Sequence, residues 1–441
     1  MVSPLLKYFV SLHYWQHASA NSISRMQVNK FSQMFKHAGK HSKFFREYYG
    51  DQGVIDIKIR TLDDIQRIPK VSKALLKNHP IEDIMTREKD GDVRIHSTSG
   101  SSGEPFLVAF NQIEDYTAHV RVYWALRKAG FRLADEIVMI TRYCAGDRFD
   151  VEKDISAIGL LQNRLHLLQR EIISIYEPVD EIIAKLLRTK ARFLWSTPSI
   201  LQIVAMRLKE KGIALEFPIV FLTSEAVSVQ QKKLFLSCVG KLIVGLYGTI
   251  ESPSLGFDFG LKGRFDIFPN SNLFEFEPLP HRDGGGKVGR VVITNLINRT
   301  MPLIRYEVND LAELEENPEF GLKYIGRIVG RQDDILELGS GKYLAHHHVH
   351  EMFMDFHECE MFKFVQRIDQ RIVLQLKIAD GLDRSNIEML ARDRWRRKFA
   401  NIPLEVEFVD GFAVNPRTGK FKNMEKADGM ERPVAVPLSQ A

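Results

Sequence analysis

The chain has 441 residues, 44% of them hydrophobic and 27% charged. That describes an ordinary folded protein of two or three domains and excludes a disordered one. A net charge of +5 suits an anionic small molecule as well as nucleic acid, but no zinc-finger, homeodomain or RNA-binding signature is present, so nucleic acid is set aside. The three cysteines, Cys144, Cys238 and Cys359, lie far apart, which argues against a disulfide framework or a zinc site and for a reducing compartment.

The start, "MVSPLLKYFVSLHYWQHASA", breaks its short apolar run with Lys7 and His13 and reads as a helix rather than a signal peptide. No run of roughly 18 apolar residues follows anywhere, so no membrane span is expected and the location is taken as cytoplasmic. Residues 1–90 read as mostly helical, with Thr61 as a cap and Pro69 and Pro80 as stops. "FLVAF" (106–110) is a short strand, residues 115–130 a helix closed by Gly130, and "EIVMI" (136–140) a buried strand. Alternation follows: helix 178–190, strand 191–196, helix 198–211, strand 219–225, helix 228–238, strand 241–248. Crossovers of this kind predict an α/β fold with a largely parallel sheet. Residues 255–325 carry short strands separated by Gly and Pro and suggest an antiparallel barrel or small sheet. Beyond "GRQDD" (330–334) a hairpin, "FKFVQRIDQRIVLQLKI", and a basic helix near 385–399 look like a separate C-terminal domain.

Between two expected strands, the second at 106–110, lies "STSGSSGEP" (97–105). Small residues leave successive backbone N–H groups free to form a concave anion site, and the hydroxyls add donors. Alone this is a weak signal. Five further segments follow in order: "FLTSEAVS" (221–228), "LYGTIES" (246–252), "RTMPLIRYEVNDLAEL" (299–314), "GRIVGRQDDILELGSGKYL" (326–344) and "NPRTGKFKNM" (415–424). Two of these fall at strand C-termini, where parallel sheets bind ligands.

Taken together the segments resemble the adenylate-forming superfamily of acyl-CoA synthetases and related ligases, most closely the phenylacetate–coenzyme A ligase-like branch that includes CapK-type proteins. The resemblance covers nearly the whole chain, from "RIPKVSK" (67–73) onward. It implies a large N-terminal domain, residues 1–332, with a helical start (1–90), an α/β part (91–254) and a β-rich, barrel-like subdomain (255–332). A small mobile α+β domain, residues 333–441, would follow. Carried over residue by residue, Thr98, Ser99, Gly100, Ser101, Ser102 and Gly103 would embrace the phosphates of ATP. Ser224, Glu225 and Ala226 would border adenine, Tyr247 would stack on it beside Gly248 and Thr249, and Glu251 would hold Mg²⁺. Asp310 and Arg331 would bind the ribose, Asp333 would be the hinge, and Lys420 the mobile catalytic lysine, with Lys422 as its rival. The implied activity joins a small carboxylic acid to AMP with release of pyrophosphate, then passes the acyl group to a thiol such as coenzyme A. An acyl carrier protein, an amine or a hydroxyl is the alternative acceptor, and a homodimer the alternative assembly. The chemistry agrees: joining two anions needs a fixed amide loop, a divalent cation on a carboxylate and a late ammonium.

Three departures stand out. Ile250 occupies the place of a hydroxyl residue, and strand alternation would turn Thr249 to the opposite face. Asn309 replaces a glycine, and "PRTGK" is two residues short. Ile250 and the shortened loop favour a rival reading, a non-catalytic homologue that binds nucleotide or acyl-adenylate. "HHHVH" (346–350) offers a two-histidine spacing that can ligate zinc, although the resemblance places a plain helix there. "RDRWRRKF" (392–399) is a solvated helix face or a docking patch for phosphates or an acidic carrier.

Overall fold

The computed structural model describes residues 2–86, 93–97, 106–132, 134–141, 170–227, 229–278, 288–313, 322–331, 336–339, 342–344, 346–353, 356, 358–378, 381–400, 402–412 and 424–427. They form two compact units. The first comprises 1–277, 289–308 and 312–327; the second comprises 278–288, 309–311 and 328–441.

The first unit begins with α1 (Val2–His17), α2 (Ala20–His41), α3 (Lys43–Asp51), α4 (Leu62–Gln66), β1 (Val71–Ser72), α5 (Lys73–Lys77) and α6 (Ile81–Ile84). Thr61 and Asp64 cap α4 reciprocally, which is why the helix starts where the sequence predicts. A hairpin of β2 (Val93–Ser97) and β3 (Leu107–Asn111) follows, in register from Val93 opposite Asn111 to Ser97 opposite Leu107. Asn111 and Glu114 then cap α7 (Gln112–Lys128).

The main sheet is built from β4 (Ile137–Thr141), β5 (Arg170–Ser174), β6 (Phe193–Ser196), β7 (Phe217–Thr223) and β8 (Gly240–Tyr247), all paired in parallel. The helices Val179–Arg188, Pro198–Glu210 and Val229–Cys238 supply the crossovers. Strands such as "FPIVFLT" are apolar almost throughout because both faces are covered. Val138, Leu194, Val220 and Ile243 pack against the crossover helices, while Phe193, Phe221 and Val244 face Trp124 and Phe131.

The β-rich stretch divides where the sequence reading expects one barrel or small sheet. β9 (Gly256–Phe259) and β10 (Arg264–Ile267) extend the main sheet by antiparallel pairing. β11 (Asn272–Pro278), β12 (Val288–Asn295) and β13 (Tyr306–Glu313) form another sheet with β1, and β14 (Tyr324–Gly326) returns to β10. Local composition marks short strands but does not say which neighbour each one pairs with.

The second unit includes β15 (Ile328–Arg331), the hairpin of β16 (Leu336–Gly339) and β17 (Lys342–Leu344), and the helix His346–Phe353. A four-stranded sheet follows, ordered β20 (Leu404–Phe408), β19 (Ile372–Ile378), β18 (Cys359–Gln366) and β21 (Met424–Lys426). The helix Arg384–Phe399 packs Ile387, Ala391, Trp395 and Phe399 into its core with Phe364 and Leu374. Among the described residues no helix is long and apolar enough to cross a membrane.

Candidate active site

The loop between β8 and β9 carries the carboxylate to which the sequence gives most weight. Its first residue has no room for a side chain: a Cβ on Gly248 would stand 2.7 Å from the Ser254 backbone nitrogen. The Thr249 N–H donates to the Ser252 carbonyl (3.2 Å), and the Ser252 N–H donates to Thr249 Oγ1 (3.0 Å). Thr249 therefore uses its hydroxyl to close its own turn. The expected alternation of Thr249 and Ile250 does not apply, because β8 ends at Tyr247 and both residues lie in a turn. Ile250 is exposed.

Glu251 is buried, at 6% exposure. Lys73 Nζ donates to its Oε1 at 3.1 Å, and the Tyr306 hydroxyl donates to the same oxygen at 3.0 Å. Lys73 opens α5 and also lies over the Phe106 ring, 5.5 Å from its centroid. Both donors found among the described residues use Oε1, which leaves the Oε2 side of the carboxylate as the place for a cation. Mg²⁺ takes oxygen ligands and is commonly held by one or two carboxylates plus phosphate, so the residues present fit it.

The turn after β7 brings Ser224, Glu225 and Ala226 to the surface, with Ser224 in the left-handed region at φ 73°. Glu225 accepts hydrogen bonds from the Ser199 N–H (2.9 Å) and Ser199 Oγ (2.8 Å) at the start of the helix Pro198–Glu210. A carboxylate there complements the helix dipole and ties the ends of β6 and β7 together. Tyr247 is buried, its ring meeting Phe265 edge-on at 5.9 Å.

In the second unit Asp310 is buried and pairs with Arg331 at 3.9 Å. Asn309 has φ 65°. That is the left-handed region, where glycine is at ease and asparagine is among the better-tolerated alternatives, so asparagine suits the backbone found here. Thr98, Ser99, Gly100, Ser101, Ser102 and Gly103, the hinge candidate Asp333, and both Lys420 and Lys422 lie outside the described residues. The basic run at 392–399 is largely engaged within its own unit. Arg392 binds Glu388, Arg394 donates to the Met352 carbonyl (2.8 Å) and covers the Phe356 ring, and Arg397 pairs with Asp393. "HHHVH" does form a helix, and the His348 ring meets Phe399 edge-on at 5.5 Å.

Sequence reading missed Lys73 and Tyr306 as members of the cluster. Lys73 stands in the quoted "RIPKVSK", but 178 residues separate it from Glu251, and nothing local reveals a partner at that distance.

No family model matches the chain. Among solved structures, 2-hydroxyisobutyryl-CoA ligase in its postadenylation state, in complex with R3-HIB-AMP, superposes with a TM-score of 0.67 at 17% identity, covering 90% of this chain and 88% of the other. The o-succinylbenzoate coenzyme A synthetase MenE of Bacillus subtilis, in complex with ATP and magnesium ion, gives 0.53 at 13% identity, covering 75% and 68%. The chain thus shares its fold with these two coenzyme A ligases. Sequence relatives narrow this further. The phenylacetate-coenzyme A ligase of Pseudomonas putida is 22% identical over 336 residues, 72% of this chain and 73% of the relative. That of Escherichia coli is 24% identical over 335 residues, with 72% and 73% covered. Protein CapK of Staphylococcus aureus is 21% identical over 439 residues, 94% of each. The chain is thus similar in sequence to phenylacetate-coenzyme A ligases and, over nearly its whole length, to a CapK protein.

Proposed function

We propose that the chain is an AMP-forming acid–thiol ligase. It activates a small carboxylic acid with ATP, releases pyrophosphate, and passes the acyl group from the adenylate to a thiol such as coenzyme A. The observation that carries this reading is the buried Glu251 in the loop after β8, with one carboxylate oxygen fixed by Lys73 and Tyr306.

The carboxylate of the acid attacks the α-phosphorus of ATP, and the bond from that phosphorus to the bridging oxygen breaks. Negative charge builds on the phosphate oxygens, so the site has to offer positive charge and donors in fixed positions. Glu251 would hold Mg²⁺, which would supply charge neutralisation when bound. Lys73 keeps the Glu251 carboxylate in one orientation, and its ammonium adds a positive charge beside it. Thr98 to Gly103 are the proposed phosphate loop, flanked by the β2–β3 hairpin, whose ladder fixes where the loop starts and ends. Ser224 to Ala226, with Tyr247, Gly248 and Thr249, are proposed for the adenine side. Asp310 and Arg331 are proposed for the ribose, Asp333 for the hinge, and Lys420 for the cation at the α-phosphate. In this reading the enzyme works in the cytoplasm.

Exchange of labelled pyrophosphate into ATP, screened over a panel of carboxylic acids, tests the proposal. One or more acids should drive exchange, and thiol acceptors should then yield thioester from the same acids. ATP binding without exchange by any acid would instead favour the non-catalytic homologue.

A further inference from the structure

Arg121 lies in the middle of α7 and is only 3% exposed. None of the ion pairs among the described residues includes it. Its Nε donates to the Ser254 carbonyl at 3.0 Å and its Nη2 to the Pro253 carbonyl at 2.7 Å. Nη1 donates to the Tyr8 hydroxyl at 2.7 Å and lies 3.4 Å from Thr117 Oγ1. The Tyr8 hydroxyl in turn meets Ser271 Oγ at 2.6 Å. Glu114 and Asp115 line the same small cavity as Arg121, but Glu114 accepts from the Asn111, Arg299 and Thr300 N–H groups, and Asp115 from Arg94 and His96.

A guanidinium buried against carbonyls and hydroxyls, with no carboxylate bonded to it, is costly to keep dry. What it obtains in return is geometry, because the rigid fork fixes several acceptors at once. The two carbonyls belong to the second and third residues after Glu251. The turn they leave is tight, with Ser254 at φ 54° and Gly248 pressed against the Ser254 nitrogen.

We infer that Arg121 is a positioning residue for Glu251: it holds the 253–254 backbone so that the carboxylate presents its Oε2 side to the metal–nucleotide. Tyr8 brings α1 into the same support. Its consequence for Mg²⁺ rests on the function proposed above; its effect on the loop does not.

Two variants test it. Arg121→Lys keeps the charge and loses the fork, and Tyr8→Phe keeps the packing and loses one acceptor. Hydrogen exchange of the Thr249 and Ser252 amides should quicken in Arg121→Lys while that of β7 stays unchanged. Calorimetric titration with ATP, with and without Mg²⁺, gives the second readout. Arg121→Lys should lose about tenfold of the Mg²⁺-dependent gain in affinity, roughly 1.4 kcal/mol, with metal-free ATP binding unaltered. Tyr8→Phe should lose a smaller part in the same direction. Unchanged loop exchange in Arg121→Lys overturns the inference whether or not ATP binds. So does a lowered unfolding temperature with the Mg²⁺ gain intact, which marks Arg121 as structural only. Failure of the wild-type chain to bind ATP overturns the proposed function instead and leaves the exchange readout to decide on Arg121.

Discussion

Two buried arginines of the first unit sit in different company, and the contrast separates stability from function. Arg305, at φ 47°, faces Glu275 through Nε (3.0 and 3.1 Å) and Nη2 (2.9 Å). Its Nη1 reaches the Gln66 carbonyl (2.6 Å) and the Ile68 carbonyl. It therefore pins the segment leading into β1 and α5 against β11 and β13. Burial pushes the Glu275 carboxyl up, against the opposing pull of Arg305. Arg121, by contrast, grips carbonyls and hydroxyls beside Glu251. A buried charge with its counter-charge secures the assembly of elements, whereas one with carbonyl partners secures the shape of a loop.

The largest expected effect breaks the Arg305 region. Arg305→Met leaves Glu275 buried without its partner and should cost about 3–5 kcal/mol of unfolding free energy, measured by chemical denaturation. Pairing it with Glu275→Gln sharpens the comparison: the double variant should recover part of the loss if the charge pair is the cause. Next comes Glu251→Gln, which should lower pyrophosphate exchange by about 10²–10³-fold and leave the unfolding midpoint nearly unmoved. A midpoint that falls as far as in Arg305→Met would place Glu251 with the structural charges. Lys73→Met should reduce exchange by roughly tenfold, in line with the loss of one charge-assisted hydrogen bond of about 1.5–3 kcal/mol that water partly replaces. It should also raise the Mg²⁺ concentration needed for half-maximal rate.

The smallest effect concerns a third cation, the half-buried Lys30. Lys30 donates to the Asn270 carbonyl at 2.7 Å, and burial lowers its pKa from 10.5 to about 8. Between those values the unfolded chain holds a proton that the folded chain has released, so stability should rise with pH across that window. Lys30→Met should flatten the rise in thermal unfolding followed from about pH 8 to 10. An unchanged slope would show that Lys30 keeps its ordinary proton affinity.

Much of the fold was legible because local chemistry dictates it. The apolar run "KLIVGLYG" can only be a buried strand, and the alternation around it forces crossovers. "GTIES" at a strand end, the cap at Thr61 and the hairpin "FKFVQRIDQRIVLQLKI" all stood where the periodicity and turn residues put them. Of the residues singled out for a site, Glu251 is buried in the loop after β8, and Asp310 pairs with Arg331. The orientation of Thr249 was not, since alternation fails once the strand has ended. The pairing of β9 to β14 was not, because short strands carry no address for their neighbours.

The sequence by itself determined the order of elements, the class of fold and the positions of the loops that end the parallel strands, since periodicity and capping act over a few residues. Only the tertiary structure decided what those loops meet. Lys73 and Tyr306 reach Glu251 across 178 and 55 residues of chain, and Arg121 reaches Ser254 across 133. Contacts of that span arise from how the layers pack, and a side chain chosen for such a contact looks locally like any other lysine, tyrosine or arginine.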